Sequence, residues 1–402
     1  MSMPLAHFPS SPVFRPEDFI TPVLKAIPPS GIRRFFDLVS STKGVISLGV
    51  GEPDFVTPWH IREACVYSLE KGFTMYTSNW GLPELRQEIC RYTEDRYGVR
   101  YSPQDEVLVT IGASEAVDLA LRSVLGPGDE VLIPEPSYVS YKPCVLMAGG
   151  QPVSIRTTMD NGFKLKPEQL ERAITSRSKV LMLCYPNNPT GATMNREELE
   201  EVSRVVERHN LLVISDEIYS ELTYNGGHTC FSSLPGMRER TILINGFSKS
   251  FAMTGWRIGY VMGNTALIGA MTKIHQYTIL CAPVMGQMAA VEALRRGAAE
   301  REKMVNQYNQ RRRLVLARLR EMGLSCFEPK GAFYVFPSIE VTGMASEEFA
   351  EKLLHEELVA VVPGSAFGEA GEGHIRLSYA SSVSQLTEAL NRMERFVDRH
   401  RQ

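Results

Sequence analysis

A lysine in a serine-rich turn among apolar residues is the first place to look for chemistry in this chain. Lys249 lies in Asn245-Gly-Phe-Ser-Lys-Ser-Phe-Ala-Met-Thr-Gly-Trp-Arg257, with Arg257 eight positions after it. A lysine held in a dry site has its pKa lowered, which suits imine formation with a carbonyl compound. The planar guanidinium of Arg257 matches a phosphate through paired hydrogen bonds. Asp216, in Ser215-Asp-Glu-Ile-Tyr219, ends an apolar run. There it can cap a helix or accept a hydrogen bond from a protonated ring nitrogen. Tyr219, three residues on, can point the same way. In Tyr185-Pro-Asn-Asn-Pro-Thr-Gly191, proline and glycine fix a turn from which Asn188 can donate to a phenolate oxygen. Gly112-Ala113-Ser114 follows another apolar run and opens a helical segment. It reads either as a plain strand-to-helix turn or as a phosphate seat of backbone N–H groups.

Together these pieces ask for one ligand with a phosphate, a basic ring nitrogen, an acidic ring oxygen and an aldehyde. Pyridoxal 5′-phosphate (PLP) meets that description, and a lysine imine with a carboxylate at the pyridine nitrogen is its usual protein setting.

The elements that must position these groups alternate in type. Short apolar runs at 106–110, 130–133, 179–184, 211–215 and 241–244 are interleaved with helical stretches at 114–125, 168–174 and 196–208. Strands apolar throughout, with helices between them, indicate a mostly parallel sheet covered on both faces: a three-layer α/β domain. Such sheets place ligands beyond the carboxyl ends of their strands, and each motif above falls just after one of the runs. Beyond about residue 285 the texture changes to a long charged helical region (287–322), short strands at 332–336 and 374–379, and helices at 346–354 and 383–396. That reads as a smaller α+β domain. The expected division is an N-terminal segment, 1–50, packing with the small domain, a large PLP-binding domain, 51–290, and a small C-terminal domain, 291–402.

Composition narrows the partners. A chain of 402 residues exceeds the usual size of a single core, so two domains are expected. A net charge of −3 offers no basic field for nucleic acid. No apolar run approaches the roughly 20 residues that cross a bilayer, so no membrane partner is expected. The first residues carry no charged region ahead of an apolar stretch, and no secretory leader is expected. Seven cysteines contain no CxxC pair and mostly sit in apolar segments. They read as small buried hydrophobes in a reducing cytoplasm, without disulfides or zinc.

In order and spacing the motifs strongly resemble the class I aminotransferases of the aspartate aminotransferase superfamily (PLP fold type I). The resemblance runs from Ile46-Ser-Leu-Gly-Val-Gly-Glu-Pro-Asp-Phe55 to Val361-Val-Pro-Gly-Ser-Ala-Phe-Gly368 and His374-Ile-Arg-Leu-Ser378. The stretch Ser248-Lys249-Ser-Phe-Ala-Met-Thr-Gly-Trp-Arg257 is close to the family's cofactor-lysine signature. The resemblance implies that Lys249 is the Schiff-base lysine and the general acid–base at the substrate Cα. It implies that Asp216 keeps the pyridine nitrogen protonated and that Tyr219 and Asn188 bond the phenolate oxygen. Ala113, Ser114, Ser248 and Arg257 would hold the phosphate, and Tyr138 matches the aromatic position that stacks on the ring. Arg376 matches the bidentate clamp for the substrate α-carboxylate, with Asn188 beside it and the backbone of Gly51 (or, second, Gly49) facing it. Tyr76, in Tyr76-Thr-Ser-Asn-Trp-Gly81, matches the tyrosine that reaches the phosphate of a neighbouring subunit. This implies a homodimer with shared sites. Trp80 is a candidate wall of the substrate pocket, and ordinary packing is the other reading of both aromatics.

Two positions depart from the pattern. Gly246 stands three residues before Lys249, where many relatives carry serine, so a phosphate donor is missing or replaced by Ser248. Ser114 stands where some aspartate-specific relatives carry lysine, which weakens the case for a dedicated dicarboxylate enzyme. Ser30-Gly-Ile-Arg33, the segment 215–224 and His275-Gln-Tyr277 look most like bacterial aminotransferases acting on aspartate, aromatic amino acids or N-acetyl-diaminopimelate. The implied activity is ping-pong transfer of the amino group of an L-amino acid to a 2-oxo acid. A C–S β-lyase, racemase or decarboxylase on the same fold shares the lysine, aspartate and arginine, and is the alternative. A regulator with an aminotransferase-like domain needs a DNA-binding module ahead of it, for which fewer than 50 residues precede Ile46.

Overall fold

The computed structural model describes residues 14–29, 42–224 and 226–402. The subgroup expectation placed on Ser30-Gly-Ile-Arg33 lies outside the described residues. After β1 (Ile46–Ser47) come seven strands of one sheet: β2 (Val107–Thr110), β3 (Glu130–Glu135), β4 (Gln151–Arg156), β5 (Ser178–Cys184), β6 (Leu212–Asp216), β7 (Thr241–Gly246) and β8 (Gly259–Met262). Their order is β2-β8-β7-β6-β5-β3-β4. Strands β4, β3, β5, β6 and β7 pair in parallel, and β8 runs antiparallel to both of its neighbours. The fold is α/β around a mostly parallel sheet, as the alternating runs indicate.

The strands are apolar throughout because both of their faces are covered. Successive side chains of a strand point to opposite faces. In β5, Leu181 and Leu183 pack with Leu199, Val202 and Val206 of the helix Arg196–Arg208. Val180 and Met182 turn to the other face and pack with Ala116, Leu119 and Ala120 of the helix Gly112–Val124. The register of the first layer is set locally. The Asn195 side chain accepts from the Glu198 N–H at 2.9 Å, and the Glu198 carboxylate accepts from the Asn195 N–H at 2.9 Å. That reciprocal cap satisfies two backbone donors and fixes where the helix starts.

A second region holds β9 (Tyr334–Val335), β10 (Val359–Ala360), β11 (Val362–Pro363) and β12 (Ile375–Ser378). Strands β11, β12 and β9 form an antiparallel sheet, and β1 pairs in parallel with β10. The helices Ala298–Glu321, Ser346–Glu357 and Val383–His400 pack onto these strands through Val315, Leu353 and Phe396. The expected continuous helical region is two helices, Val284–Arg296 and Ala298–Glu321. They part at Gly297, where a Cβ would lie 2.8 Å from the Phe251 ring. Past β1, the Leu48 N–H donates to Ala360 O at 2.8 Å and its carbonyl accepts from the Ser378 N–H at 2.7 Å. The chain is thereby tied to β10 and β12 just before residues 49–51. Among the described residues no helix is long and apolar enough to cross a membrane.

Candidate active site

A cavity of about 790 Å³ opens beyond the carboxyl ends of β2, β3, β5, β6 and β7, a size suited to a small-molecule ligand. Ala113, Ser114, Tyr138, Asn188, Asp216, Tyr219, Ser248, Lys249 and Arg257 reach it from the ends of these strands and the turns beyond them. Arg376 enters from β12, and Gly51 from the segment after β1. Tyr76 does not line the cavity of its own chain and is 83% exposed. Trp80 lies outside it too, half-buried against the core of the helix Gly112–Val124.

One end of the cavity is shaped by missing side chains. Ile111 provides no side-chain cap to the helix Gly112–Val124, so the first N–H groups of that helix have no partner from the capping position. The Arg257 backbone is left-handed, at φ 56°, and its guanidinium lies against Gly112, where a Cβ would come within 2.6 Å of Nη2. A Cβ at Gly259 would meet the Gly112 carbonyl carbon at 2.5 Å and the Ala113 nitrogen at 2.6 Å. Behind this cradle the buried His275 ring pairs with Glu115 at 2.7 Å. Gly246, the departure noted above, pairs with Gly259 across β7 and β8 and borders a separate small void with Glu221 and Asn245. A serine Cβ there would sit 3.0 Å from Gly259 Cα, so packing accounts for the glycine, and in this turn it is Ser248 that lines the cavity. Gly259→Ala should lower the unfolding free energy by about 1–3 kcal/mol, because backbone cannot yield to the added methyl; urea unfolding measures it.

The other groups are ionic and dry. Lys249 Nζ donates to Gly51 O at 2.6 Å and lies 5.9 Å from the ring centroids of Tyr219 and Phe333. The side chain faces the cavity, yet burial lowers its pKa to about 8, against the pull of Glu52 in the other direction. Burial raises the pKa of Asp216 to about 6, while hydrogen bonds from Tyr141 and the Ile218 N–H pull it down. Asp216 does not cap a helix: Oδ1 accepts from the Ile218 N–H at 3.2 Å in a local turn. The hydroxyls of Tyr219 and Tyr334 are 2.9 Å apart. Arg376 is 2% exposed, with its guanidinium 4.5 Å from the Tyr334 ring centroid and 4.8 Å from that of Phe367. Its Nη1 donates to Asn188 Oδ1 at 2.9 Å and its Nη2 to Gly49 O at 2.6 Å. Its Nε is buried without a hydrogen-bond partner, and a desolvated cation with an unused donor suits an anionic guest.

Reading the sequence did not single out Tyr141 or Tyr334, both of which line the cavity. Tyr141 sits three residues after Tyr138, a helical spacing that places two aromatics together. Tyr334 carries no such mark among Phe333, Tyr334 and Phe336.

The family model described as "Aminotransferase class I and II" matches residues 43–393. The chain belongs to this family. It is an aminotransferase, with the fold that its motifs imply. It is 53% identical over 379 residues to the Bacillus subtilis protein named putative aminotransferase YugH, covering 94% of this chain and 98% of that one. It is 46% identical to an aspartate aminotransferase of Pyrococcus abyssi, over 92% of this chain and 96% of the relative. Among solved structures, an aromatic aminotransferase from Pyrococcus horikoshii matches with a TM-score of 0.87 and 45% identity, covering 92% of this chain and 99% of that one.

Proposed function

We propose that the enzyme holds PLP in this cavity and moves the amino group of an L-amino acid to a 2-oxo acid by a ping-pong mechanism. One observation carries the reading: Asp216, the Lys249–Arg257 turn and Arg376, from three separate parts of the sequence, line a single cavity. The donor set and the shape both fit the cofactor. Glycines at 112 and 259 leave room at the helix start where side chains would fill the cradle. Lys249 would hold the cofactor covalently through Nζ, and Asp216 would meet its ring nitrogen. Tyr219 and Asn188 would take the phenolate oxygen, and Tyr138 a ring face. Ala113, Ser114, Ser248 and Arg257 would take the phosphate. When bound, PLP supplies an electron sink that acidifies the substrate Cα–H.

The protein's own groups then have distinct tasks. Arg376 binds the α-carboxylate, and its place between Tyr334 and Phe367 fixes the plane of the guanidinium. That orientation holds Cα toward Lys249. With a pKa of about 8, Lys249 is partly neutral near physiological pH, so Nζ can take the Cα proton and return it. The donor leaves as its oxo acid before the acceptor enters. Aspartate and aromatic amino acids, for which relatives are named, are the first donors to test.

The same reading makes the enzyme a homodimer with shared sites. Trp59, Tyr67, Phe73, Met75, Tyr76 and Tyr277 are exposed. Asn79 Nδ2 donates to Leu280 O at 2.7 Å, joining the segment that carries Tyr76 to the one that carries Tyr277. These exposed apolar side chains suit an interface, across which Tyr76 would serve the neighbouring phosphate. Residues 51–290 form the large domain in this reading and 291–402 the small one, with the segment before them joined to it through β1 and β10. The cysteines, all free, fit a cytoplasmic enzyme.

The test is the visible spectrum of the purified protein titrated with amino acids in the absence of an oxo acid. The expected result is a yellow protein whose band is bleached by a donor and restored by a 2-oxo acid. A band that survives every donor, or release of pyruvate or ammonia, would assign a lyase-type reaction instead. Failure to take up PLP at all would remove the cofactor assignment.

A further inference from the structure

Asp216 is the group through which the protein would set the charge of the cofactor ring, and its surroundings are unusually complete. The carboxylate is 5% exposed. Its Oδ2 accepts from the Tyr141 hydroxyl at 2.7 Å, and its Oδ1 from the Ile218 N–H at 3.2 Å. Tyr141 is 1% exposed and begins the helix Tyr141–Met147. Its ring meets the Tyr138 ring edge-on, with centroids 5.5 Å apart and planes at 79°.

The groups that act on Asp216 come from several elements. Tyr141 comes from that helix, Cys184 lies beside Asp216 in register on β5, Glu217 follows it, and Lys249 comes from the turn after β7. Glu217 is turned away, bound to Ser215 Oγ, the Phe231 N–H and His228 Nε2. The Cys184 thiol is directed at Pro186 O, at 3.7 Å. Among the described residues, the side-chain hydrogen bond recorded to Asp216 is the one from Tyr141.

We propose that Tyr141 is a positioning residue whose hydroxyl keeps Asp216 ionised and aimed at the ring nitrogen, while its ring braces Tyr138. The inference rests on the PLP reading given above. Its physical basis is the cost of holding a carboxylate away from water. Burial pushes Asp216 upward, and the Tyr141 hydroxyl is the strongest influence opposing that push. Burial also drives the Tyr141 phenol well above its ordinary pKa, so it remains a donor across the working pH range. Without the hydroxyl, Asp216 would titrate nearer to neutrality, and a smaller fraction would carry the negative charge that pairs with a ring N–H⁺. Because the anion is the working form, loss of its donor moves the acid limb of the turnover profile to higher pH.

The experiment compares holoenzymes of the wild type, Tyr141→Phe and Asp216→Ala. It measures kcat and KM against pH with one amino donor, and PLP dissociation by equilibrium dialysis. Tyr141→Phe keeps the ring and its packing. It is expected to lower kcat about tenfold at neutral pH, the size of one lost hydrogen bond to a charged group, with little change in KM. It should also weaken PLP retention and raise the acid limb. Should Tyr141→Phe match the wild type in limb and PLP retention while Asp216→Ala loses both, Tyr141 is packing alone and the Asp216 assignment stands. Should neither variant alter PLP retention, Asp216 does not meet the ring, and both the inference and its basis fail. If Tyr141→Phe does not fold, Tyr141→Gln, which keeps a donor, must retain PLP more tightly than Tyr141→Leu; equal retention overturns the proposal.

Discussion

Lys249→Ala should reduce turnover by at least about 10⁴-fold, because in the proposed reading one side chain performs both covalent attachment and proton transfer, and proton transfer alone contributes about 10²–10⁴. The variant should also lose the covalently held cofactor, seen as release of PLP on gel filtration. Covalent PLP in the variant would assign the anchor to another lysine. The loss of activity should not bring a loss of stability. Burial lowers the amine from 10.5 to about 8, which corresponds to a cost of about 3 kcal/mol for holding the charged form in the folded chain. The cost is fully present below pH 8, where both folded and unfolded chains carry the proton. It fades as pH rises from 8 toward 10.5, because the folded chain is then neutral and the unfolded chain is not. The cofactor-free variant should therefore be at least as stable as the cofactor-free wild type at pH 7, and the difference should shrink above pH 8. Urea unfolding at the two pH values measures it.

Arg376→Ala should lower kcat/KM by about 10³-fold for every amino acid donor alike. In the proposed reading the variant loses a charge-assisted pair of hydrogen bonds to the α-carboxylate. It also strands Asn188 Oδ1 and Gly49 O, which accept from Nη1 and Nη2 in the wild type; each unmatched buried acceptor costs about 1–3 kcal/mol. Lysine in its place would bring one charge but no planar fork to lie between Tyr334 and Phe367, so Arg376→Lys should recover little. Steady-state kinetics with aspartate and phenylalanine decide the matter. A loss confined to aspartate would place Arg376 at the distal carboxylate.

The fold was most legible where burial was most complete. Every residue of β2 and β7 is buried, as are the last five of β5, and a strand enclosed on both faces cannot avoid a continuous apolar run. The edge strand β4 was missed for the converse reason: of its six residues only Ile155 is buried. Strand β8 has just four residues and begins at the glycine that the cradle requires, which masks it as an extension of the lysine motif. The site was legible as far as its groups stand at the ends of those runs. Tyr141 and Tyr334 act through contacts with Asp216, Tyr219 and Arg376 that span between 75 and 115 residues for the two hydrogen bonds, and such contacts leave no local spacing. Tyr76 is exposed and lies outside the cavity of its own chain, so the role proposed for it depends on a second subunit.

The run through residues 49–51 has a thermodynamic consequence. Gly49 O takes its hydrogen bond from Arg376, and Gly51 O takes its own from Lys249. The two carbonyls belong to one short stretch of peptide, tied down at Leu48 by Ala360 and Ser378. A carboxylate that draws Arg376 away from Gly49, and any chemistry that draws Lys249 away from Gly51, therefore perturb the same backbone. Occupancy at one end and release at the other are linked equilibria, and reciprocity requires each to alter the other by the same factor.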